Sequence, residues 1–219
     1  MAGLQVIGNS GSILVDEAYK NYCFVKKGIV SFPAALGGFA SVNFTGTHPI
    51  LAIRPTVQNG RAVGQVSLNY YNGVYTAELI TPPQAPATEL AYYVFDVVPD
   101  TLPAAGLVQV WDAQGRLTFD SNQKYLRVVD FSTGGGRSAP YKPGTTEAAI
   151  ICTPNISQDG GSGYYYTYTS VVYMREDGGL DVTTAQLEYH DTSDYGNNNT
   201  ANPSFNYPTA IMFIDVTNY

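Results

Sequence analysis

Two stretches of this chain repeat the same β pattern. Residues 4–16 read LQVIGNSGSILVD, and residues 108–120 read VQVWDAQGRLTFD, with Gln, Val, Gly and Asp at matching positions. Further matches follow in the same order: ILAIRPT (50–56) resembles AIICTPN (149–155), and AYYVFDV (91–97) resembles AIMFIDV (210–216). Collinear matches of this kind predict a tandem duplication, because a repeated pattern along a chain marks a repeated structural unit.

Turn residues divide the chain into short strands. In the repeated segments, apolar residues alternate around a turn at which Gly11 and Gly115 are expected to adopt positive φ. Gly73 follows an Asn between VSLNY and VYTAEL, and Asn-Gly favours a type I′ hairpin turn. Asp16 and Asp120 recur in both copies, which favours a structural hydrogen bond at the turn.

The predicted fold class is all-β, with two tandem β-sandwich-like modules. No segment shows a 3.6-residue apolar period over a dozen residues, so no long helix is expected. The proline-rich stretch PDTLPAAG (99–106) separates the two copies and cannot supply a central strand. We therefore predict a first β module over residues 1–100 and a second, loop-decorated β module over residues 101–219. The sequence is compatible with two domains or with one intertwined sandwich.

The composition is typical of a protein that is buried in an assembly. Only 13% of the residues are charged, against about 25% in average soluble domains. The 18 tyrosines suit sheets and interfaces, because Tyr buries a ring and keeps a polar tip. The net charge is −7 and the 11 basic residues are scattered along the chain, so no nucleic-acid partner is expected. No run reaches 18 apolar residues, so no membrane span is expected.

Signals for catalysis, metals and cofactors are weak. His190 and Asp191 are adjacent, and adjacent strand residues point to opposite faces, so they are not expected to act as a pair. GGG (134–136) lacks the Lys and helix of a phosphate loop, and segment 191–199 lacks the closing Glu of an EF-hand. We therefore predict no catalytic residues, no metal, no cofactor and no enzymatic activity. A glycan hydrolase is an alternative that needs two carboxylates about 5–10 Å apart in a cleft.

A binding surface is predicted on the second copy. Its aromatic run and the loop that follows supply the candidate residues, which are Tyr164, Tyr165, Tyr166, Tyr168, Asp191, Asp194, Tyr195 and Asn197. The tyrosines suit either a sugar-stacking platform or a packed sheet face. Segments 158–163 and 191–208 are predicted to be loops, where binding residues are often found. Cys23, Cys152 and Trp111 lie in apolar strand-like runs and are predicted to be buried.

One segment resembles a module of a known protein family. The stretch GLVQVWDAQGRLTFDSNQKYLRVVDF (106–131) is similar to a module in tail proteins of long-tailed bacteriophages. In that module, GLQV-x-x-x-x-G-x-x-x-FDS-x-x-x-Y-x-R-V typically follows a strand ending YVFD-x-x-P, and AYYVFDVVP (91–99) precedes it here. The N-terminal GLQVIGNSGSILVD (3–16) resembles the opening of the same module, with the later Tyr-x-Arg-Val element altered to NYCFV. The resemblance covers about residues 3–30 and 91–131.

This resemblance implies a virion structural protein at the distal end of a phage tail: tail tip, baseplate or fibre attachment. It implies assembly with other phage tail proteins, as a homo-oligomer that follows the three- or six-fold tail symmetry, and a host surface receptor as a further partner. The alternative is a receptor-binding module that recognises a host cell-surface glycan or a pilus. Residues 1–10 lack the basic and apolar regions of a signal peptide. The expected localisation is therefore the virion, after synthesis in the host cytoplasm without a signal peptide.

Overall fold

The computed structural model describes residues 5–7, 13–16, 20–32, 38–56, 62–82, 88–100, 106–133, 139–153, 156–161, 164–191 and 210–219. Side chains are described in the same ranges except at 5–7, 13–16, 156–161, 164–167 and 186–191. The described residues form strands and turns and no helix, which confirms the all-β prediction. The strands are β1 (Gln5–Ile7), β2 (Ile13–Asp16), β3 (Tyr22–Phe32), β4 (Phe39–Phe44), β5 (Ile50–Pro55), β6 (Gly64–Tyr71), β7 (Val74–Ile80), β8 (Thr88–Val97), β9 (Gln109–Trp111), β10 (Leu117–Asp120), β11 (Val128–Thr133), β12 (Glu147–Thr153), β13 (Ile156–Gly161), β14 (Tyr164–Met174), β15 (Leu180–Asp191) and β16 (Ala210–Asp215).

A six-stranded antiparallel sheet forms the first layer of the molecule. Its strand order is β11-β16-β12-β5-β8-β3, so three strands come from each side of residue 100. The two groups meet at the centre, where Ile53 of β5 pairs with Ala149 of β12. The predicted division at residue 100 therefore falls between strands that share one sheet.

The two edges of this sheet approach each other at one end. Phe24 N–H in β3 donates to the Lys124 carbonyl (2.7 Å), and Leu126 N–H donates to the carbonyl of Tyr22 (2.9 Å). The next residue, Arg127, directly precedes edge strand β11, and its carbonyl accepts from Asp215 N–H of β16, the neighbour of β11 in the sheet (2.9 Å). Segment 124–127 thus runs from edge strand β3 to the start of edge strand β11, which requires the sheet to be strongly curved.

A second layer packs on one face of the curved sheet. It consists of the sheets β4-β7-β6 and β13-β14-β15, which are linked by a two-way backbone pair between Val63 and Val172 (2.8 Å each way). The apolar side chains between the layers form the main core, which includes Phe32, Val42, Leu51, Ile53, Val63, Leu79, Leu90, Val94, Ile151, Val172, Leu180, Ile211 and Phe213. The result is a two-layer β-sandwich.

The other face of the six-stranded sheet encloses a smaller apolar cluster. Its buried members are Ala52, Tyr93, Phe95, Ala148, Ile150, Ile214 and Val216. The ring of Tyr219 covers the cluster, with centroids 5.3 Å from Phe24 and 5.7 Å from Phe95. The backbone around it is held by three cations: Lys27 donates to the carbonyl of residue 219, Lys124 to that of 218 and Arg127 to that of 217. Basic residues that are far apart in the sequence therefore converge here.

The segments that match in sequence occupy corresponding places. The hairpins β1–β2 and β9–β10 share one register, with Gln5 opposite Asp16 and Gln109 opposite Asp120, and both contain an irregularity near the turn. Outward from the central pair, the strands before residue 100 run β5-β8-β3 and those after it run β12-β16-β11. The segments matched in sequence, β5 with β12 and β8 with β16, thus lie at matching positions in the sheet.

Three expectations from the sequence were wrong. Residues 158–161, predicted as part of a loop, belong to β13. Cys152, predicted to be buried, is exposed, because the pairing of β12 with β16 shifts between Ile151 and Thr153. Trp111 is 49% exposed instead of buried, because in β9 it is Val110 that turns inward. Cys23 is buried, as predicted, and both thiols are free.

Candidate interaction surface

The hairpin β9–β10 is anchored by a buried carboxylate. Asp120, the last residue of β10, is fully buried. Its Oδ2 accepts hydrogen bonds from Gly106 N–H (2.8 Å) and Gln109 Nε2 (2.6 Å), and its Oδ1 accepts one from Asn122 N–H (2.7 Å). The hydrogen bond from Gly106 lowers the pKa of Asp120 below its ordinary value, against the opposing effect of burial. At neutral pH Asp120 is therefore an ionised structural anchor.

Two neighbours fix this carboxylate in place. A Cβ at Gly106 would lie 2.5 Å from both Asp120 Oδ1 and Ser121 Oγ, so only glycine fits there. The Tyr125 hydroxyl accepts from Asp120 N–H (2.6 Å) and donates to the Asp120 carbonyl (2.9 Å), while its ring stacks on Phe119 at 4.9 Å. The glycine, aspartate and tyrosine of the motif thus shape this hairpin.

The predicted turn residues are only partly described. Gly73 has a φ of 83° and Gly115 a φ of 76°, and a Cβ at either position would meet nothing within 4 Å. The backbone conformation, and not crowding, therefore favours glycine at both turns. Asp16 ends β2, but its side chain lies outside the described ones, and Gly11 lies outside the described residues.

The predicted binding residues cluster at one end of the β14–β15 hairpin, as far as they are described. Those in β14 are Tyr164, Tyr165, Tyr166 and Tyr168. Tyr164 pairs with Asp191, the last residue of β15, so the aromatic run adjoins the start of the following segment. Tyr168 is half-buried, and the side chains at 164–167 and 191 lie outside those described. Asp194, Tyr195 and Asn197 lie outside the described residues, so a platform here stays a prediction.

Edge strand β11 presents apolar side chains to solvent. Val128 is 51% exposed, Val129 41% and Phe131 52%. Val128 pairs with Ile214 and Phe131 with Met212, so these two positions continue the face of the smaller apolar cluster. β11 contains no Lys or Pro, residues that commonly protect edge strands from association, and its one charged residue is Asp130, beside a register irregularity. The sequence contained a signal for this edge, since RVVDF places three large apolar residues within five positions.

The hairpin β9–β10 adds further exposed apolar side chains. Leu107 is fully exposed, Val108 is 52% exposed, and Trp111 is exposed on the same short segment. Single exposed apolar residues are common, but runs of them mark interaction sites in soluble proteins. This hairpin and β11 are therefore the best candidates for a surface that contacts another protein.

The described residues offer little for metal-dependent or histidine-based chemistry. Within the described ranges, no group of three or more His, Cys, Asp or Glu side chains is placed to hold a metal ion. His48 is exposed in the loop before β5, and its backbone N–H caps the Asp96 carboxylate (2.8 Å). Burial raises the pKa of the Cys23 thiol to about 11, with a smaller contribution from Asp96, which makes it a poor nucleophile at neutral pH.

Comparisons with known proteins give no assignment for this fold and surface. No family model, curated protein or solved structure matches the chain significantly. In the part of the chain that the structure describes, no helix is long and apolar enough to span a bilayer.

Proposed function

We propose that this chain is a structural protein of the virion, at the distal end of a bacteriophage tail, and that it acts by assembling with other tail subunits. One observation carries the assembly role: the exposed apolar side chains of edge strand β11, Val128, Val129 and Phe131. An edge strand with exposed backbone and apolar side chains is a template for pairing with another chain. In β11 the exposed apolar residues lie on either side of Asp130 and a register irregularity. The tail location rests on the resemblance of residues 106–131 to phage tail modules.

The roles of the motif residues support a structural protein. Asp120 and Tyr125 use their polar groups to fix the hairpin, which exposes Leu107 and Trp111 beside it. Arg127 is occupied by the carbonyl of residue 217 (2.9 Å) and by Asp215 (3.4 Å). Because the polar groups of Asp120, Tyr125 and Arg127 bond within the protein, they stabilise the folded chain and are poorly placed to react with a substrate.

The proposal includes an internal duplication of one β module. Two features support it: the equal register of the hairpins β1–β2 and β9–β10, and the matching strand order on each side of the central β5–β12 pair. A duplicated module that shares one sheet supplies two similar hairpins, and hence two similar attachment points, on a single subunit. The boundary near residue 100 stays a prediction.

Self-association of the purified chain tests the role of β11. We expect wild-type protein to form oligomers in sedimentation-velocity experiments over a concentration series. Val129→Lys should weaken them by about tenfold or more in dissociation constant, because a lysine must be desolvated at the apolar edge. A wild-type chain that stays monomeric throughout the series, with Val129→Lys indistinguishable from it, would contradict the proposal.

The opposite edge of the sheet offers a matched control. Val25 is 51% exposed and lies in a register irregularity of β3, as Val129 does in β11. Because β3 already carries Lys26 and Lys27, Val25→Lys should leave association unchanged. If both lysine variants weaken oligomers equally, charge in general is responsible and β11 has no special role.

A further inference from the structure

The sheet β4-β7-β6 turns one face to the core and most of the other to solvent, except at Ile80, which lies on the outer side of β7 and is buried. Val42, Ala77 and Leu79 are buried on the inner face, while their neighbours Asn43 and Glu78 are exposed. Side chains alternate along a strand, so the outer face can be read from the pairing of the three strands. It forms successive rows across the sheet, each two residues further along β7.

The centre of this outer face is a polar lattice. One row contains Asn69, Thr76 and Asn43, and the next contains Ser67, Glu78 and Ser41. Thr76 Oγ1 donates to Asn43 Oδ1 (2.8 Å), which fixes the amide and leaves Asn43 Nδ2 directed elsewhere. Asn69 Nδ2 donates to Ser67 Oγ (3.0 Å), and Ser67 Oγ donates to Glu78 Oε2 (2.8 Å). Amide and hydroxyl groups are thus held in defined orientations along the outer face.

Aromatic rings mark both ends of the lattice. Tyr71 is 78% exposed and pairs with Val74 beside the hairpin turn, on the outer face. Phe39 is 60% exposed and lies in the row at the other end of the sheet. Tyr70 points to the opposite face, where its ring contacts Tyr75 at 4.6 Å. The ring of Tyr71 therefore lies on the side of the sheet opposite to Tyr70 and Tyr75. Among the described aromatic contacts, none involves Tyr71.

We propose that this outer face binds an uncharged glycan. Strands β4, β6 and β7 contain no Lys or Arg, and Glu78 is their one carboxylate. Sugar hydroxyls both donate and accept hydrogen bonds, as do the oriented Asn and Ser groups, and the apolar face of a pyranose stacks on an aromatic ring such as Tyr71. The polar centre with aromatic ends matches a chain of such sugars laid along the strands.

The same chemistry disfavours other occupants. A nucleic acid or an anionic polysaccharide needs basic side chains, which these strands lack. A protein interface usually has an apolar centre and a polar rim, whereas this face has the reverse arrangement. The proposal does not depend on assembly through β11, which lies in the other layer of the sandwich.

Affinity electrophoresis of the full chain tests the proposal. Native gels would contain dextran, mannan, starch, galactan or fully N-acetylated chito-oligosaccharides as neutral probes. Alginate would serve as an anionic probe. We expect retardation by at least one neutral probe, and about tenfold weaker retardation for Tyr71→Ala and for Asn43→Ala. The matched control is Tyr70→Ala, which removes the adjacent tyrosine from the same strand but from the opposite face and should retain binding.

Each alternative outcome would overturn the proposal. These outcomes are no retardation by any neutral probe, retardation by alginate alone, and equal losses in Tyr70→Ala and Tyr71→Ala. An oligomer that dissociates on Tyr71→Ala would show that a second copy covers this face. Circular dichroism melts of all three variants distinguish lost binding from lost folding, and Asn43→Ala, an exposed substitution, keeps the test valid if Tyr71→Ala unfolds.

Discussion

At the scale of single residues, the buried carboxylate of Asp120 explains why the motif in residues 106–131 contains an aspartate and a glycine. Both oxygens of Asp120 accept hydrogen bonds from N–H groups, those of Gly106 and Gln109 on one side and of Asn122 on the other. An asparagine at this position would direct its amide N–H₂ at one of these donors in either orientation. A charged acceptor is therefore required, and Gly106 is required beside it because any Cβ would collide with Asp120 and Ser121.

Replacing this carboxylate should destabilise the protein measurably. We expect Asp120→Asn to lower the melting temperature by roughly 4–8 °C at pH 7, because a buried N–H donor loses its acceptor. Asp100→Asn is the control, since its side chain is 64% exposed and pairs only with Lys20 among the described salt bridges. Equal melting temperatures for the two variants would contradict the assigned role.

The pH dependence of this effect has a definite sign. The pKa of Asp120 is lowered in the folded chain, chiefly by the hydrogen bond from Gly106. Its contribution to stability is therefore complete above the unfolded-state pKa of about 3.9 and is lost as the pH falls through the folded-state value. The difference in melting temperature between wild type and Asp120→Asn should shrink below pH 4, as thermal melts across a pH series would show.

At the scale of elements, the hairpin β9–β10 depends on its turn. Asp112 Oδ1 accepts hydrogen bonds from Gln114 N–H (2.9 Å) and Arg116 N–H (2.8 Å), and Gly115 between them has a φ of 76°. A residue with a Cβ pays about 1–2 kcal/mol to adopt this conformation. The turn, and not the short strands alone, therefore fixes the register of the hairpin.

Substitutions at the two glycines that match in sequence, Gly11 and Gly115, test whether the hairpins correspond. We expect Gly115→Ala to lower the free energy of unfolding by about 1 kcal/mol, as measured by urea denaturation. Gly11→Ala should have a similar effect if the duplication is real, since Gly11 matches Gly115 in the repeat. Gln114→Ala, an exposed change in the same turn, is the control. A neutral Gly11→Ala beside a costly Gly115→Ala would argue against equivalent hairpins.

At the scale of the whole molecule, the shared sheet should make the two halves unfold together. The central β5–β12 pair and the Val63–Val172 pair join strands from both halves in each layer. Trp111 fluorescence reports on the second half, and alkylation of the buried Cys23 reports on the first in a Cys152→Ser background. We expect both probes to give the same denaturation midpoint. Two separate midpoints would show that the modules are independent domains.

The sequence predicted local structure better than long-range structure. Alternation and turn glycines located most strands, because these signals lie within a few residues of each other. Trp111 was wrongly predicted to be buried, because the sequence of a three-residue strand does not indicate which of its two faces is buried. The shared sheet and the curvature at segment 124–127 have no local signal, since Phe24 meets Lys124 only through tertiary contacts. The aromatic run that begins at Tyr164 was predicted to bind because its tyrosines are adjacent in the sequence. The position of Tyr71 on the outer face follows only from the pairing of β6 with β7.

The most direct test of the assembly role is to locate the chain in intact particles. Cryo-electron microscopy of virions from the genome that encodes this chain would place it by tracing its density. We expect density at the distal end of the tail, with Val128, Val129 and Phe131 of β11 buried against a neighbouring subunit. Particles that lack the chain, or a chain whose β11 faces solvent in the assembled tail, would contradict the account.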